Sequence, residues 1–159
     1  MARSVVEFRR MTKEEFTSFL DATLEDYSRT MARNFRRPLK QERIDAIRQV
    51  RSLLSHGIRT KGHLLLNAVD VTTGKVVGNL WVHADRRREQ AFLYDVVVFK
   101  RFRGMGYGRA IMKRLDATMR KKKMKAIGLH VFAENRAALR LYHKQGYTVR
   151  SFNMLKELN

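Results

Sequence analysis

The chain has 159 residues, and its 34 lysines and arginines against 15 aspartates and glutamates give a formal net charge of +19. A chain of this length is typical of one domain, so we expect residues 1–159 to form a single domain with a sizeable core. It contains no cysteine, which excludes disulfides, thiolate metal sites and cysteine nucleophiles. No apolar run suits a membrane span or a signal peptide, so we expect a soluble, cytoplasmic protein, and we predict no metal site.

The positive charge is gathered into four basic clusters, at residues 33–37, 86–88, 100–103 and 120–125. Such a charge attracts polyanions over a long range, and it also suits a ligand that carries several phosphate groups. Few aromatic residues interrupt the clusters, and no helix-turn-helix, zinc or RNA-binding signature is present. We therefore expect non-specific attraction to ribosomes, nucleic acid or acidic proteins rather than sequence-specific recognition.

The first hundred residues show the patterns of a strand, two helices and three further strands. Apolar residues within 5–8 predict the first strand, and Thr12 with Glu15 forms a capping box that predicts the start of the first helix. Apolar residues at helical spacing predict a second helix that ends near Leu54, with Pro38 between the two helices. The three strands are predicted at residues 63–70, 76–85 and 91–99, with turns at 72–75 and 85–90.

The stretch after these strands combines an apolar run, three glycines and a helical pattern. Gly104, Gly106 and Gly108 alternate with other residues, and glycine permits positive φ and a close approach of the backbone to a ligand. The N-terminus of the following helix would point at the same anion, so the stretch predicts a phosphate cradle. Arg109 stands where a dinucleotide fingerprint needs a glycine, and the loop lacks the Gly-Lys-Ser or Gly-Lys-Thr of a P-loop.

A second motif follows between residues 127 and 147. Residues 127–132 predict a strand, and Asn135 after it is a good N-cap for a short helix. Leu141 and Tyr142 fall on one edge of that helix, which is expected to stop at Gly146. Two final stretches, residues 147–153 and 154–158, are predicted as strand material.

These two motifs resemble those of the GNAT superfamily of N-acetyltransferases. Residues 103–108, Arg-Gly-Met-Gly-Tyr-Gly, match its pyrophosphate signature Arg/Gln-x-x-Gly-x-Gly/Ala, and residues 135–142 match its Asn-x-x-Ala-x-x-Leu-Tyr motif. The resemblance implies an α+β fold of three layers, in which helices flank a mixed β-sheet that is splayed between its fourth and fifth strands. It also implies an enzyme that uses acetyl-CoA and transfers the acetyl group directly to a primary amine.

The resemblance places the coenzyme along the end of the fourth strand and over the glycine loop. Backbone groups of the strand would pair with the pantetheine amides, while backbone amides of the loop would hold the pyrophosphate. Arg103 could instead be a structural arginine, and the helix-cap role of Asn135 is compatible with a coenzyme contact. The implied coenzyme-binding residues are Val96, Val97, Val98, Arg103, Gly104, Met105, Gly106, Tyr107, Gly108, Arg109, Asn135 and Tyr142.

Two side chains are candidates for proton transfer. Tyr142 matches the family position whose hydroxyl protonates the departing thiolate; the alternative is a tyrosine that only packs the helix edge. His130 matches a position from which some members use an acidic base, and an imidazole suits proton relay near neutrality; the alternative is a packed or cleft-lining histidine. Asp95 and His83 compete with His130 for the role of base, and Glu134 is a further carboxylate close by.

The acceptor pocket is expected to involve the first helix and the third predicted strand in addition to Asp95. Trp81 and His83 share one facing of that strand, and Tyr27 lies near the end of the first helix. Core packing is the alternative role for Trp81. Regular strand alternation predicts that the side chains of Tyr94 and Asp95 face opposite ways.

The identity of the acceptor stays open at this level. A protein N-terminal or lysine acetyltransferase, acting for example on a ribosomal protein, is one alternative to a small-molecule enzyme. A basic module that keeps the fold and binds nucleic acid or ribosomes is another, although the intact glycine loop favours an enzyme. Members of the superfamily are often dimers, so a homodimer is compatible with the resemblance.

Overall fold

The computed structural model describes residues 5–158, which form a five-stranded mixed sheet with helices on both faces. The strands are β1 (Val6–Arg10), β2 (His63–Asp70), β3 (Val76–Asp85), β4 (Gln90–Val98) and β5 (Ala126–Leu129). The helices are α1 (Lys13–Phe35), α2 (Leu39–Leu53), α3 (Tyr107–Lys121) and α4 (Arg136–Lys144). The predicted order of elements is confirmed as far as α4, and β2 and β3 have the predicted bounds.

Local sequence signals determine where α1 and α2 begin. The Glu15 amide donates to Thr12 Oγ1 at 3.2 Å and the Thr12 amide donates to Glu15 Oε2 at 2.8 Å, which confirms the capping box. Pro38 is the N-cap residue of α2, where a missing N–H costs nothing. Arg43 of α2 donates to Glu25 of α1 through two hydrogen bonds of 2.8 and 2.9 Å, so the two helices are joined side by side.

The sheet has the strand order β1-β2-β3-β4-β5, in which β1 to β4 are antiparallel and β5 is parallel to β4. β5 pairs only with the first part of β4, from Gln90 to Leu93. The second part of β4, residues 94–98, continues to pair with β3 but has no partner on its other side among the described residues. The predicted splay between the fourth and fifth strands is therefore confirmed.

A β-bulge in β4 lies at the point where the splay begins. Trp81 of β3 is opposite Asp95, whereas its neighbour Val82 is opposite Leu93, so Tyr94 is an extra residue in β4. Tyr94 stacks on Trp81 with ring centroids 4.5 Å apart, and Asp95 hydrogen-bonds to α1. Both side chains thus face the same layer. The alternation that predicted opposite facings was wrong, because the extra residue of the bulge interrupts it.

Two apolar clusters fill the space on the two faces of the sheet. One joins the sheet to α3 through Ile111, Met112 and Leu115, each fully buried. The other joins it to α1 through Phe16 and Phe19. Two helical layers around one sheet confirm the predicted three-layer α+β class. No helix within residues 5–158 has the length and apolarity that crossing a membrane requires.

The segment after α4 differs from its prediction. Residues 147–153 and 154–158 were predicted as strands, but residues 147–158 form neither strand nor helix in the structure. The apolar side chains are present, yet no neighbouring strand offers backbone partners to them, and strand structure requires a paired ladder. The prediction of final strands was therefore wrong for this chain in isolation.

Candidate functional site

The glycine loop connects β4 to α3 at the open end of the splay. Gly104 and Gly106 have φ of +75° and +84°, values that side chains other than glycine rarely adopt. A Cβ on Gly104 would meet nothing within 4 Å, so the backbone there borders open space. Gly108 serves differently, since its φ is not positive and a Cβ would lie 3.3 Å from Leu141 Cδ2. Of the three glycines, two shape the loop and the third lets α4 approach α3.

The N-terminus of α3 is free to hold an anion. Gly106 is its N-cap residue and no side chain caps the helix, while the first backbone bond runs from the Ala110 amide to the Gly106 carbonyl at 3.1 Å. The amides of residues 107–109 therefore lack partners within the helix. Uncapped amides and the helix dipole together favour a phosphate at this point.

Two side chains of the loop hydrogen-bond to the sheet. Tyr107 donates from its hydroxyl to Asp70 Oδ2 at 2.8 Å, and the same carboxylate accepts the Thr73 amide at 2.7 Å in the β2–β3 turn. Arg103 donates from Nε to the Val98 carbonyl at 3.0 Å and so closes the turn after β4. Arg103 thus has a structural contact through Nε, and its role towards a coenzyme stays a prediction.

The wall of the splay consists of β4 backbone. Val96, Val97 and Val98 are half-buried on the part of the strand that diverges from β5. β3 presses against the opposite side of this stretch, because a Cβ on Gly78 would lie only 2.1 Å from the Val97 carbonyl oxygen. β4 is consequently held by backbone contact on one side and open on the other.

A cleft of about 420 Å³ lies beside the N-terminus of α3. It is lined by Arg109 of α3 and by Leu141, Lys144 and Gln145 at the end of α4. Two cations beside uncapped helix amides make this cleft suited to a phosphate-bearing ligand. The sequence analysis predicted Arg109 as a coenzyme-binding residue and missed Lys144. The available signal was helical spacing, since Lys144 lies three positions after Leu141 and so on the same side of α4.

Asp95 is a largely buried acid at the start of the splay. It lies directly after the bulge, and Thr23 of α1 donates to its Oδ2 at 2.8 Å. Burial raises the pKa of Asp95, and the nearby charge of Asp26 acts in the same direction. Sequence reasoning missed Thr23, although a hydroxyl inside the apolar stripe of α1 was a signal of a polar partner.

Tyr142 of α4 is close enough to Asp95 for their charges to interact. Burial raises the pKa of Tyr142 to about 12, and the negative charge of Asp95 contributes. Its ring lies 5.6 Å from the ring of Tyr147, measured between centroids. Among the described residues, its hydroxyl has no hydrogen-bond partner, so it is available to a ligand.

His130 and Asn135 occupy the other side of the splay. β5 ends at Leu129, so His130 follows the strand instead of lying within it, and its exposed ring packs edge-on against Phe132 at 4.9 Å. No hydrogen bond or ring contact connects it with Asp95 within residues 5–158. Asn135 Oδ1 accepts the Ala138 amide at 3.1 Å, which confirms its role as the N-cap of α4.

The residues expected in the acceptor pocket separate into two groups. Trp81 is 3% exposed and donates from Nε1 to His63 Nδ1 at 2.9 Å, while His63 stacks on His83 at 4.4 Å. Trp81 is therefore a core residue, the alternative that its type allowed. Burial lowers the pKa of His63 to about 4. Tyr27 is 36% exposed on α1 and remains accessible.

Comparison with known proteins agrees with this geometry. The profile of the Acetyltransferase (GNAT) family matches residues 17–147. Two proteins of Bacillus subtilis (strain 168) named as uncharacterized N-acetyltransferases, YycN and YdgE, are 29% and 27% identical over 93% of this chain, and are themselves covered to 96% and 95%. The crystal structure of YycN superposes with a TM-score of 0.91 at 28% identity, covering 98% of this chain and 99% of that one. The chain belongs to the GNAT family of N-acetyltransferases.

Proposed function

We propose that the protein transfers the acetyl group of acetyl-CoA directly to a primary amine. The observation that carries this proposal is the continuity of the open β4 edge with the uncapped N-terminus of α3. An extended ligand with amides in its middle and phosphates at its end fits such a path, because the strand offers backbone pairing and the helix offers free N–H groups.

The residues present fit the coenzyme. Gly104 borders open space, where a side chain would intrude, and Arg109 with Lys144 supplies positive charge at the adjoining cleft. In this proposal Val96, Val97 and Val98 contribute backbone groups, and the loop contributes the amides of residues 104–109. Met105 and Gly106 belong to that loop. Bound acetyl-CoA would supply a thioester, which an uncharged amine can attack.

Asp95 is the candidate base that the contacts favour. His130 is exposed, His83 stacks on His63, and Glu134 is held in an ion pair by Arg33. An acceptor amine arrives as an ammonium ion with an ordinary pKa of about 10.4 and must lose a proton before it attacks. A carboxylate with a raised pKa is a stronger base than an ordinary carboxylate, and the hydrogen bond from Thr23 orients it. The neighbouring charges of Asp95 and Asp26 also favour a cation at this point of a strongly basic protein. His130 remains the competing assignment from sequence.

Tyr142 is proposed as the proton donor. With a pKa of about 12, its hydroxyl keeps its proton at neutral pH. It can therefore donate that proton to a sulfur atom on which negative charge develops.

Tyr27 and His83 are accessible or half-buried on the side where α1 faces the sheet, and they are proposed to border the acceptor. The acceptor can be a small amine, a protein N-terminus or a lysine side chain.

Titration calorimetry with acetyl-CoA tests the coenzyme proposal. Gly106→Val is expected to lower the affinity at least a hundredfold, because a β-branched side chain disfavours positive φ and occupies the cradle. Gly74→Val is the matched control, since Gly74 also has positive φ, +68°, but lies in the β2–β3 turn. Equal affinity of both variants and the wild type would place the coenzyme elsewhere.

Measuring thiol release with panels of amines, peptides with free N-termini and lysine peptides then identifies the acceptor class. A primary amine is expected to give turnover that saturates with acceptor concentration. If thiol is released at the same rate with and without each acceptor, the protein only hydrolyses acetyl-CoA. That result would contradict the transfer of the acetyl group to an amine.

A second function is favoured by the distribution of charge. The β3–β4 turn carries Arg86, Arg87 and Arg88. The end of α3 and the α3–β5 connection carry residues 120–123 and 125, and all of these are cationic and exposed. The Lys125 amide donates to the Glu89 carbonyl at 2.7 Å, so the two turns adjoin. This basic surface is at the opposite end of β4 from the glycine loop, about 30 Å away at 3.3 Å per residue. We infer that it attracts the phosphate backbone of nucleic acid without obstructing the cleft.

Binding of a duplex oligonucleotide at several salt concentrations tests this surface. Replacing Arg86, Arg87 and Lys122 together by serine is expected to weaken binding and to lower the salt slope by about three, since each phosphate contact releases about one counterion. The matched control replaces three cations of α2, Lys40, Arg48 and Arg51. Equal slopes for the two variants would show that net charge, not this surface, attracts the polyanion.

A further inference from the structure

Helix α1 has polar contacts on both sides of the splay. Near the middle of the helix, Thr23 donates a hydrogen bond to Asp95 of β4. Close to its C-terminal end, Arg33 and Asn34 donate to Glu134, in the connection between β5 and α4. The two attachment points are about 15 Å apart along the helix, at about 1.5 Å per residue. One helix therefore links the strand that forms one wall of the splay to the connection that leads into the other wall.

Three hydrogen bonds converge on the Glu134 carboxylate. Arg33 donates from Nη2 to Oε1 at 2.5 Å and from Nε to Oε2 at 3.3 Å, which is the bidentate geometry of a guanidinium on a carboxylate. Asn34 donates from Nδ2 to Oε1 at 3.1 Å. The bonds from Arg33 and Asn34 lower the pKa of Glu134, so the carboxylate is charged at neutral pH. These three residues are called the α1 clasp below.

The α1 clasp holds the chain directly before α4. The Glu134 carbonyl accepts the Arg136 amide at 2.9 Å, and Asn135 between them is the N-cap residue of α4. Tyr142 lies in the same helix, about two turns further on. Because a helix moves as a rigid element, a displacement of Glu134 carries the Tyr142 hydroxyl with it.

The other contacts of α4 constrain it from a different side. None of its residues is buried, and Leu141 and Tyr142 pack on the first apolar cluster while only partly buried. Leu141 also lies beside Gly108 of α3. This packing limits how closely α4 approaches α3 and the sheet. The α1 clasp adds a constraint from α1, on the side of the splay where Asp95 is held.

We propose that Glu134 is a positioning residue of the acetyl transfer. Through the α1 clasp it fixes the start of α4, so that the Tyr142 hydroxyl stays directed at the same reaction centre as the Asp95 carboxylate. Thr23 fixes Asp95 to the same helix, so α1 sets the relative position of both groups. The inference rests on the proposed function, in which Asp95 and Tyr142 transfer protons, and Glu134 itself contacts neither the amine nor the thioester.

The exposure of the clasp predicts which property it controls. The side chains of Arg33 and Glu134 are 60% and 41% exposed, and ion pairs as exposed as this contribute little to the stability of a fold. The coenzyme loop is attached elsewhere, through the hydrogen bond of Tyr107 to Asp70. Loss of the clasp is therefore expected to lower kcat, while the unfolding temperature and the KM for acetyl-CoA stay nearly the same.

Steady-state thiol release with the best amine of the panel described above tests this split. Glu134→Ala is expected to lower kcat about ten- to a hundredfold, since misplacing a reacting group by about 1 Å can cost about 10² in rate. Arg33→Glu, which places two carboxylates together, is expected to do the same. Combining Arg33→Glu with Glu134→Arg restores an ion pair of opposite orientation and is expected to recover most of the lost rate.

Glu25→Ala is the matched control for these kinetics. Glu25 accepts two hydrogen bonds from Arg43 in a pair of similar exposure, but this pair joins α1 to α2 and does not reach α4. Its loss is expected to leave kcat within about twofold, as for an ordinary surface pair. If Glu25→Ala lowers kcat as much as Glu134→Ala does, or if the exchanged pair recovers nothing, the proposal is overturned.

A distance measurement tests the positioning without any acceptor. The chain has no cysteine, so spin labels attach only at Ala22→Cys on α1 and Arg140→Cys on α4, both exposed positions. In this labelled background, Glu134→Ala is expected to broaden or lengthen the label-to-label distance, and Glu25→Ala is expected to leave it unchanged. An unchanged distance in Glu134→Ala overturns the proposal. A wild type that acetylates no amine of the panel overturns the proposed function instead, and this inference with it.

Discussion

α3 and α4 are both amphipathic helices beside the same sheet, yet they differ in how much of them is buried. α3 buries Ile111, Met112, Leu115 and Met119, whereas α4 buries no residue. The same contrast holds between the frame, defined as β1 to β4 with α1 to α3, and the C-terminal region, defined as β5, α4 and residues 145–158. The frame is stabilised by its two apolar clusters. The C-terminal region contributes one wall of the cleft, and side chains such as Leu141 and Tyr142 pack against the first cluster while only partly buried.

Asp95 and His130, two of the candidate bases, lie in different regions, so the pH dependence of kcat/KM tests which region supplies the base. Asp95→Asn in the frame is expected to lower the rate by about 10²–10⁴ and to remove the fall in rate that the wild type shows as pH drops through the raised pKa of Asp95. His130→Ala in the C-terminal region is expected to keep that profile. The reverse outcome would assign the base to His130 and to the C-terminal region.

Stability measurements test the contrast in burial directly. Leu115→Ala is expected to lower the free energy of unfolding by about 2–5 kcal/mol, because Leu115 is fully buried and its loss leaves a cavity. Leu141→Ala, at a half-buried position of α4, is expected to cost about 1 kcal/mol or less. Chemical denaturation of both variants gives the comparison. Equal losses would mean that α4 belongs to the same cooperative core as α3.

Tyrosine-to-phenylalanine changes in the C-terminal region should separate chemistry from packing. Tyr142→Phe is expected to reduce kcat by roughly ten- to a thousandfold with little change in coenzyme affinity, since it removes one proton donor. Tyr147→Phe is the control, because the Tyr147 hydroxyl is buried without a partner among the described residues and its removal should not destabilise the fold. If the two variants turn over alike in an assay limited by chemistry, Tyr142 only packs.

The smallest expected effect is a pH dependence of stability within the frame. Because the pKa of His63 falls from its ordinary 6.5 to about 4 on folding, the unfolded chain binds more protons between these values. His63 therefore contributes stability above pH 6.5 that is lost as pH falls towards 4. His63→Asn keeps an acceptor for the Trp81 N–H and removes the titration. Thermal unfolding between pH 7 and 4 should show a shallower loss for this variant than for the wild type.

The sequence predicted the elements of the frame well, because the sequence signals for those elements are local or periodic. The capping box at Thr12, the apolar runs of β2 and β3, and the glycines at 104 and 106 act within a few residues and leave a readable pattern. The bulge at Tyr94 was out of reach, since it depends on the register between two strands. The Thr23–Asp95 hydrogen bond, across 72 positions of sequence, depends on how α1 packs on the sheet, so the signal at Thr23 did not identify its partner.

Residues 147–158 show the opposite limit. Their apolar residues, among them Val149 and Phe152, led to the prediction of strands, and that pattern is read from the chain alone. A strand, however, is completed only by a neighbour, and within the described residues none pairs with it. The prediction failed because strand formation depends on pairing between two segments, and the pattern was read from only one of them.

The close approach of β3 to β4 at Gly78 has a consequence for engineering. With no room for even a methyl group between Gly78 and the Val97 carbonyl, β4 cannot retreat towards β3 to accommodate a bulkier acyl donor. Space for longer acyl chains has to come from the loosely packed wall formed by α4. Directed evolution of acyl-donor range should therefore randomise Leu141 and its neighbours, and libraries that vary Gly78 should yield misfolded protein.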